Sequence, residues 1–470
     1  MATTLGSTGT RALTGANSTS GVTALVVVAV LLTRLPLLGH GYGGDPDAWR
    51  AISAARHLVD TGVYVPSRVP GYPLPEYVDA VMLYLGVGSS VGIGVLSTLL
   101  SAASAVLFLR LLLPLGRSRA VAGALAMSFT PVVYVAGLGA MDYVWGLTFF
   151  LAATSCVQSG RLWWAATFLG LAAASRPTYA LAILPLAVLY VHGDVGRLRS
   201  AAGWRRLAVL AGWSGAIAVA FFLPAFLAVG VQTPTAYGDW KSLVYNVSVG
   251  LFGVVGSLGV ACAAVAAWFN RRRGVTLPEP DDRVMNGWAL TTVVLFALPF
   301  VWLPDEASYL IPALVGVYWL LCRYAPHVVL WILAASLALS CFVFAVDRDH
   351  GRVRLSVAGP VLREIEIQAE RRCAAGVVTR ALAADGDEYV IAGAYRPQLL
   401  VEVGLPLADR ILYSVRPGDD GRLVDTERVP VPDDARLLLL DRAADQQSEE
   451  WSMPTGRASV LTTYPECAGG

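Results

Sequence analysis

Two aspartates bracket a proline in Gly44-Asp45-Pro46-Asp47-Ala48-Trp49-Arg50, directly after the first hydrophobic segment of the chain. Carboxylates at the lip of a membrane helix are costly enough to point to a function. Their chemistry is proton abstraction from a hydroxyl, or, for paired acids, capture of a divalent cation. A second group of polar residues belongs with them: Arg68, Tyr72 and Glu76 in Ser67-Arg68-Val69-Pro70-Gly71-Tyr72-Pro73-Leu74-Pro75-Glu76, Asp142, Arg176, Asp239 and Lys241, and Asp305, Glu306 and Tyr309. An arginine on a rigid loop is a good clamp for an anion, because its fork of N–H groups matches carboxylate and phosphate oxygens. Each residue also has a plainer role. Asp45 suits a helix N-cap and Asp47 a first helical turn, Asp142 and Arg176 suit snorkelling helix ends, and the aromatic surroundings of Lys241 suit an interfacial belt.

The elements that position these residues are mostly membrane spans. The 470 residues are 56% hydrophobic and only 15% charged, with mean hydropathy +0.58, which excludes an ordinary soluble domain. A net charge of +1 gives no reason to expect nucleic acid as a partner. Apolar runs at 22–39, 89–115, 120–137, 141–158, 162–175, 178–192, 207–231, 248–269, 285–303, 308–323 and 327–346 make about eleven spans. The pair meeting at Ser175-Arg176-Pro177 is short enough to be re-entrant or broken instead. Residues 1–21 form a polar N-terminus, and the apolar run after it reads as a retained anchor, not a cleaved peptide.

Basic residues set the orientation. With the N-terminus inside, about thirteen of them fall on inner segments and about five on outer ones. The topology expected is N-in, C-out, and it gathers the acids and cations above, from five loops, on one outer face. The long first outer loop, 40–88, contains a helix over Pro46–Thr61, with Asp45 as cap and Gly62 as stop, lying on the membrane surface. The prolines of 67–76 predict an irregular backbone, neither helix nor strand.

With these motifs in this order, the chain resembles the polytopic glycosyltransferases of the C type, the superfamily of protein O-mannosyltransferases and aminoarabinose transferases. The resemblance spans roughly residues 22–346. It rests on the acidic motif after the first span, Ala55-Arg56 and Thr61-Gly62, the Pro-Gly-Tyr-Pro-Leu element, the arginine at an outer helix end, and Glu306-Ala307-Ser308-Tyr309-Leu310-Ile311-Pro312. It implies a lipid-phosphate-linked sugar as donor and an aspartate of the first outer loop as catalytic residue. Laid on this chain, the pattern puts that aspartate on Asp47. Ala48 stands where a second acid is usual, with Asp45 as its alternative. Ser308 stands where arginine is usual, which leaves Arg68, Arg176 and Lys241 for the phosphate.

The expected function is therefore a membrane glycosyltransferase. It would move a sugar from a polyprenyl-phosphate donor to a hydroxyl of a glycan, lipid or protein acceptor on the extracytoplasmic side of the cell membrane. Asp47, then Asp45, would act as base. Arg68, Arg176 and Lys241 would hold the phosphate, and Tyr72, Glu76, Asp142, Glu306 and Tyr309 would line the substrate site. No cofactor is required; a divalent cation is the option left by the paired acids, and no His or Cys cluster supports a transition metal. The competing class is a lipid or sugar transporter or flippase, but transporters place charge near the midplane and show repeated halves. The expected fold is an all-α polytopic domain over 22–346 with a small extracytoplasmic α/β domain over 347–470. In that domain a helix near Val361–Ala383 and strands at Tyr389–Ala394, Arg410–Val415 and Arg436–Leu440 are expected. Four cysteines lie in spans, so Cys373 and Cys467, outside them in an oxidising compartment, are expected to pair.

Overall fold

A computed structural model describes residues 8–191, 200–230, 240–274, 282–304, 306–349, 352–384, 387–417, 423–425, 431–441, 458–463 and 467. The apolar runs fold as helices, because a chain without water must pair its backbone within each segment. In order these are α1 (Thr8–Arg34), α2 (Pro46–Thr61), α3 (Pro73–Tyr84), α4 (Ser90–Leu112), α5 (Arg117–Ser128), α6 (Pro131–Ala136), α7 (Tyr143–Gln158) and α8 (Leu162–Ser175). Then come α9 (Ile183–Val191), α10 (Ala201–Val229), α11 (Trp240–Tyr245), α12 (Leu251–Arg272), α13 (Asp282–Trp302), α14 (Ile311–Tyr324) and α15 (His327–Phe342). Among the described residues, six helical stretches are long and apolar enough to cross a membrane, and four shorter ones are apolar. α8 packs between α7 and α10, α12 on α15, α13 on α14, and α4 on α7. Phe108, Tyr134, Phe150, Trp288 and Tyr318 fill the centre.

Two stretches ahead of α7 differ from the sequence expectation because of proline. The run 120–137 is not one helix: α5 stops at Ser128, and Pro131, which has no N–H to give, starts α6 after an extended Thr130. The 67–76 stretch is irregular only as far as Tyr72, where α3 begins. Pro73 and Pro75 occupy its first turn, where a missing N–H costs nothing. Proline also separates α8 from α9. Arg176, forced out of the helical region by Pro177, is extended at φ −155°, ψ 118°, and a 3-10 turn over Pro177–Ala182 leads into α9.

α2 forms over the residues expected. The Asp45 carboxylate accepts from the Asp47 N–H at 2.8 Å, and Gly62 ends the helix at φ 72°, a left-handed cap that suits glycine. Its inner face, Ala48, Trp49, Ile52 and Ala55, is buried, and the helix rests on α3.

The remaining chain is α/β. β1 (Val343–Asp349) follows α15 directly and pairs antiparallel with β2 (Arg352–Ala358), a hairpin not foreseen from sequence. α16 (Pro360–Ala384) returns onto α15 and α6. After it come β3 (Glu388–Ile391), α17 (Arg396–Val403), β4 (Ile411–Leu412), β5 (Val415–Pro417), β6 (Leu423–Asp425), β7 (Arg436–Leu440) and β8 (Ala458–Leu461). β4, β3, β7 and β8 form a parallel sheet in that order. Their apolar residues make a second core with Val378 and Leu382 of α16. The expected strand at 410–415 is split between β4 and β5, and β8 was not foreseen. Cys373 and Cys467 are joined by a disulfide with Cα atoms 5.5 Å apart.

Candidate active site

The turn carrying the aspartates is held from two sides. On one side Tyr42 fixes its start: the phenol donates to Gly88 O at 2.9 Å, and Tyr42 O accepts from Ala140 N at 2.7 Å. The second bond draws the segment before α7, and with it Asp142, against the loop that follows α1. Trp49 locks the turn from within, its indole N–H donating to Gly43 O at 2.5 Å. On the other side stands α16. Glu364 accepts from Gly44 N, Arg371 donates to Gly44 O, and Arg372 donates to His40 O at 2.6 Å. Gly44 lets Glu364 come this close, since a Cβ would stand 2.5 Å from its carboxylate.

Beyond that turn, acids and guanidiniums alternate. Asp47 accepts from Arg50 Nη1 at 2.7 Å on one oxygen and from Arg68 Nη1 on the other. Arg68 Nη2 donates to Asp142 at 2.6 Å, and the second oxygen of Asp142 accepts from Arg176 Nη1, also at 2.6 Å. Asp142 and Arg176 side chains are only 3% and 4% exposed. Burying four charges is tolerable because each carboxylate meets two guanidiniums or each guanidinium a carboxylate, whereas one left alone would cost several kcal/mol, on the order of 3–5. The extended backbone at Arg176 turns its side chain off the axis of α8 and into this group. Three tyrosine rings then box it, with the guanidinium carbon 4.0 Å from the centre of Tyr143, 4.7 Å from Tyr309 and 5.4 Å from Tyr72. Arg68 lies 4.1 Å over the same Tyr72 ring. Aromatic faces favour a cation without neutralising it, so they hold the guanidinium in place while leaving its charge for a ligand. Arg68 Nε is buried without a partner, a donor facing inward with nothing to give to.

Glu306 joins from the start of the 3-10 turn Ala307–Leu310. It accepts from the Tyr143 hydroxyl and from Ser308 Oγ at 3.0 Å. Asp45, Glu364, Tyr143 and Ser308 line a cavity of about 460 Å³ with no Lys, Arg or His in its wall. Burial first, and then the charge of Glu306, pushes the Asp45 carboxyl up to about 6.

The structure thus brings Asp47, Arg68, Tyr72, Asp142, Arg176, Glu306 and Tyr309 together, with Asp45 at the edge. Glu76 stands apart. It is buried, but its two oxygens accept from the Tyr64 hydroxyl and Ser67 Oγ, which staples the loop that carries Arg68. Lys241 is exposed on α11, outside the cluster. Asp239 and Asp305 lie outside the described residues. Among the described residues no group of three or more His, Cys, Asp or Glu side chains is placed to hold a metal ion.

Sequence reasoning overlooked Tyr143, Glu364 and Arg371. Tyr143 adjoins Asp142, and a tyrosine beside a buried acid is a hydroxyl available to the same site. Glu364, Gln368, Arg371 and Arg372 recur at helical spacing, a polar stripe in a helix that also carries buried apolar residues.

Two solved structures are similar in part. The crystal structure of ArnT from Cupriavidus metallidurans bound to undecaprenyl phosphate is similar at TM-score 0.45 and 18% identity, over 64% of this chain and 60% of that one. The same enzyme in the apo state is similar at TM-score 0.49 and 18% identity, over 82% of this chain and 75% of that one. The chain therefore spans less than two thirds of the length of the undecaprenyl phosphate-bound structure. No family model and no curated protein matches the chain.

Proposed function

We propose that the protein is a membrane glycosyltransferase that passes a sugar from a polyprenyl-phosphate donor to an acceptor hydroxyl on the outer face. The observation that carries the reading is the buried run Asp47–Arg68–Asp142–Arg176. It joins four distant segments of the chain and sets two carboxylates among guanidiniums, one of which, Arg68, keeps a buried N–H without a partner.

In this reading the Asp47 carboxylate takes the proton of the acceptor hydroxyl, and the acceptor oxygen bonds to the anomeric carbon. The bond from that carbon to the phosphate oxygen breaks, its electron pair leaving with the polyprenyl phosphate. Charge builds on the phosphate as it departs, and Arg68 and Arg176 stabilise it. Asp45 is the second candidate base. Asp142 holds both guanidiniums at a fixed separation, and Glu306, Tyr72 and Tyr309 line the sugar or acceptor. The exposed Lys241 would reach the phosphate only by a rearrangement of α11. The reaction needs no cofactor; a divalent cation would have to compete with Arg50 and Arg68 for Asp47.

The topology belongs to the same proposal: about eleven spans, N-terminus inside, residues 22–346 as the membrane domain and 347–470 as an outer domain whose α16 supports the catalytic turn. Purified protein incubated with radiolabelled polyprenyl-phosphate hexoses and pentoses tests the reaction, by release of sugar to water or transfer to added membrane extract. Release that is lost in Asp47→Asn supports it. No turnover of any donor, with uptake of labelled lipid or sugar into sealed vesicles instead, assigns the protein to the transporters.

A further inference from the structure

Two cavities flank the Asp45–Asp47 turn, and their charges are opposite. The smaller one, walled by Asp45 and Glu364, has acids and no basic residue. The other is a groove of about 730 Å³ between α2, the irregular stretch before Arg68, and α17. Its wall includes Arg50, His57 and Arg396 and, among the described residues, no acid. Ser53 and Tyr413 add hydroxyls, and Leu400 adds an apolar surface. A groove of this volume suits a short oligosaccharide or a molecule of similar size.

The groove is not isolated from the chemistry. Arg50, in its wall, donates to Asp47 at 2.7 Å, so a ligand seated against Arg50 lies next to the carboxylate that would take its proton. All of the lining comes from the first outer loop and the α/β region, none from the long apolar helices, so the groove is approached from the aqueous side and not from the bilayer. Ala54, Val65, Pro66, Pro397 and Leu400 give it an apolar floor, and Arg50, His57 and Arg396 set a cationic rim on that floor.

We infer that the groove between α2 and α17 is the acceptor site, and that it takes a hydroxyl-bearing acceptor which also carries an anionic group, phosphate or carboxylate. Its role as an acceptor site rests on the glycosyltransferase reading, whereas its preference for anions does not. Arg396 and His57 hold the anion, Tyr413 and Leu400 pack on the body of the molecule, and Arg50 sits where the reactive hydroxyl passes to Asp47.

The test is direct binding to the purified full-length protein, without turnover, using three probes of equal size: maltotriose, maltotriose carrying one phosphate, and trigalacturonate. The expected result is binding of at least one charged probe about tenfold or more tighter than the neutral one, a difference of about 1.4 kcal/mol. Which probe binds names the anion. Arg396→Gln and Ser53→Trp, which alter opposite walls, should each remove that preference in protein that elutes and melts like the wild type. Equal affinity for charged and neutral probes, no binding of any of the three, or selectivity untouched by both substitutions overturns the inference. If anion selectivity is found in a protein that turns over no prenyl-phosphate sugar, the glycosyltransferase reading fails and the anion site stands.

Discussion

Asp47 and Asp142 share one guanidinium: Arg68 donates to the first through Nη1 and to the second through Nη2. The candidate base and the buried acid that anchors Arg176 are thereby set by a single side chain, one that the sequence reading assigns to the phosphate and not to the two acids.

Arg68→Lys keeps the charge but not the fork. One ammonium cannot span both carboxylates along the directions a planar guanidinium does. Transfer should fall by about 10²-fold or more, with only a small drop in melting temperature, while Arg68→Ala, which leaves Asp47 with Arg50 alone and Asp142 with Arg176 alone, should destabilise by roughly 1–3 kcal/mol. Initial rates and thermal unfolding on the same preparations decide the matter; a lysine variant as fast as wild type would show that the bridge has no part in catalysis.

Asp47→Asn removes a proton acceptor and keeps its shape. The expected loss is about 10²–10⁴-fold in turnover with donor binding retained. If Asp45→Asn is the dead variant and Asp47→Asn is active, the base is Asp45; activity in both removes the carboxylate from the mechanism.

The raised Asp45 carboxyl makes a prediction about pH. Because its folded value is about 6 and the unfolded one near 4, the folded protein holds this proton the more tightly of the two states. The stability it contributes is complete below about pH 4 and is lost as pH rises through about 6. Asparagine caps a helix about as well as aspartate and does not titrate. Relative to wild type, Asp45→Asn should therefore gain in melting temperature between about pH 4.5 and 7.5. Parallel melting curves across that range would contradict it.

Gly44→Ala tests the contact with α16. The added methyl meets the Glu364 carboxylate at 2.5 Å, so the Glu364 side chain must swing aside and give up its bond to Gly44 N, or the turn must move. Transfer should drop about tenfold or more, and Glu364→Ala, which makes room, should restore part of it in the double variant. A Gly44→Ala protein with full activity would mean that the position of α16 is irrelevant to the turn.

What was legible in the chain was local. Asp45 and Gly62 bound α2 because capping is written in neighbouring residues. Pro177 made a break visible because it constrains the residue before it. Other features were not local. Glu76 and Asp142 look alike as acids near helix ends, yet one accepts from a tyrosine and a serine within its own loop and the other from two arginines far along the chain. Only tertiary packing separates them. Glu364 touches Gly44 across almost the whole membrane region, and no spacing rule connects the two. Proline misled at 73–75 because it both breaks helices and begins them.

Lys241 is the sole lysine of the chain, and its side chain is exposed. A protein with one exposed lysine amine carries its own address tag. An amine-reactive dye that cannot cross a bilayer, applied to intact cells, marks that residue only from the side on which α11 emerges. A lysine-specific protease applied the same way has one cut to make, and whether the two fragments appear with intact cells or only after the cells are opened reports the side on which Lys241 lies.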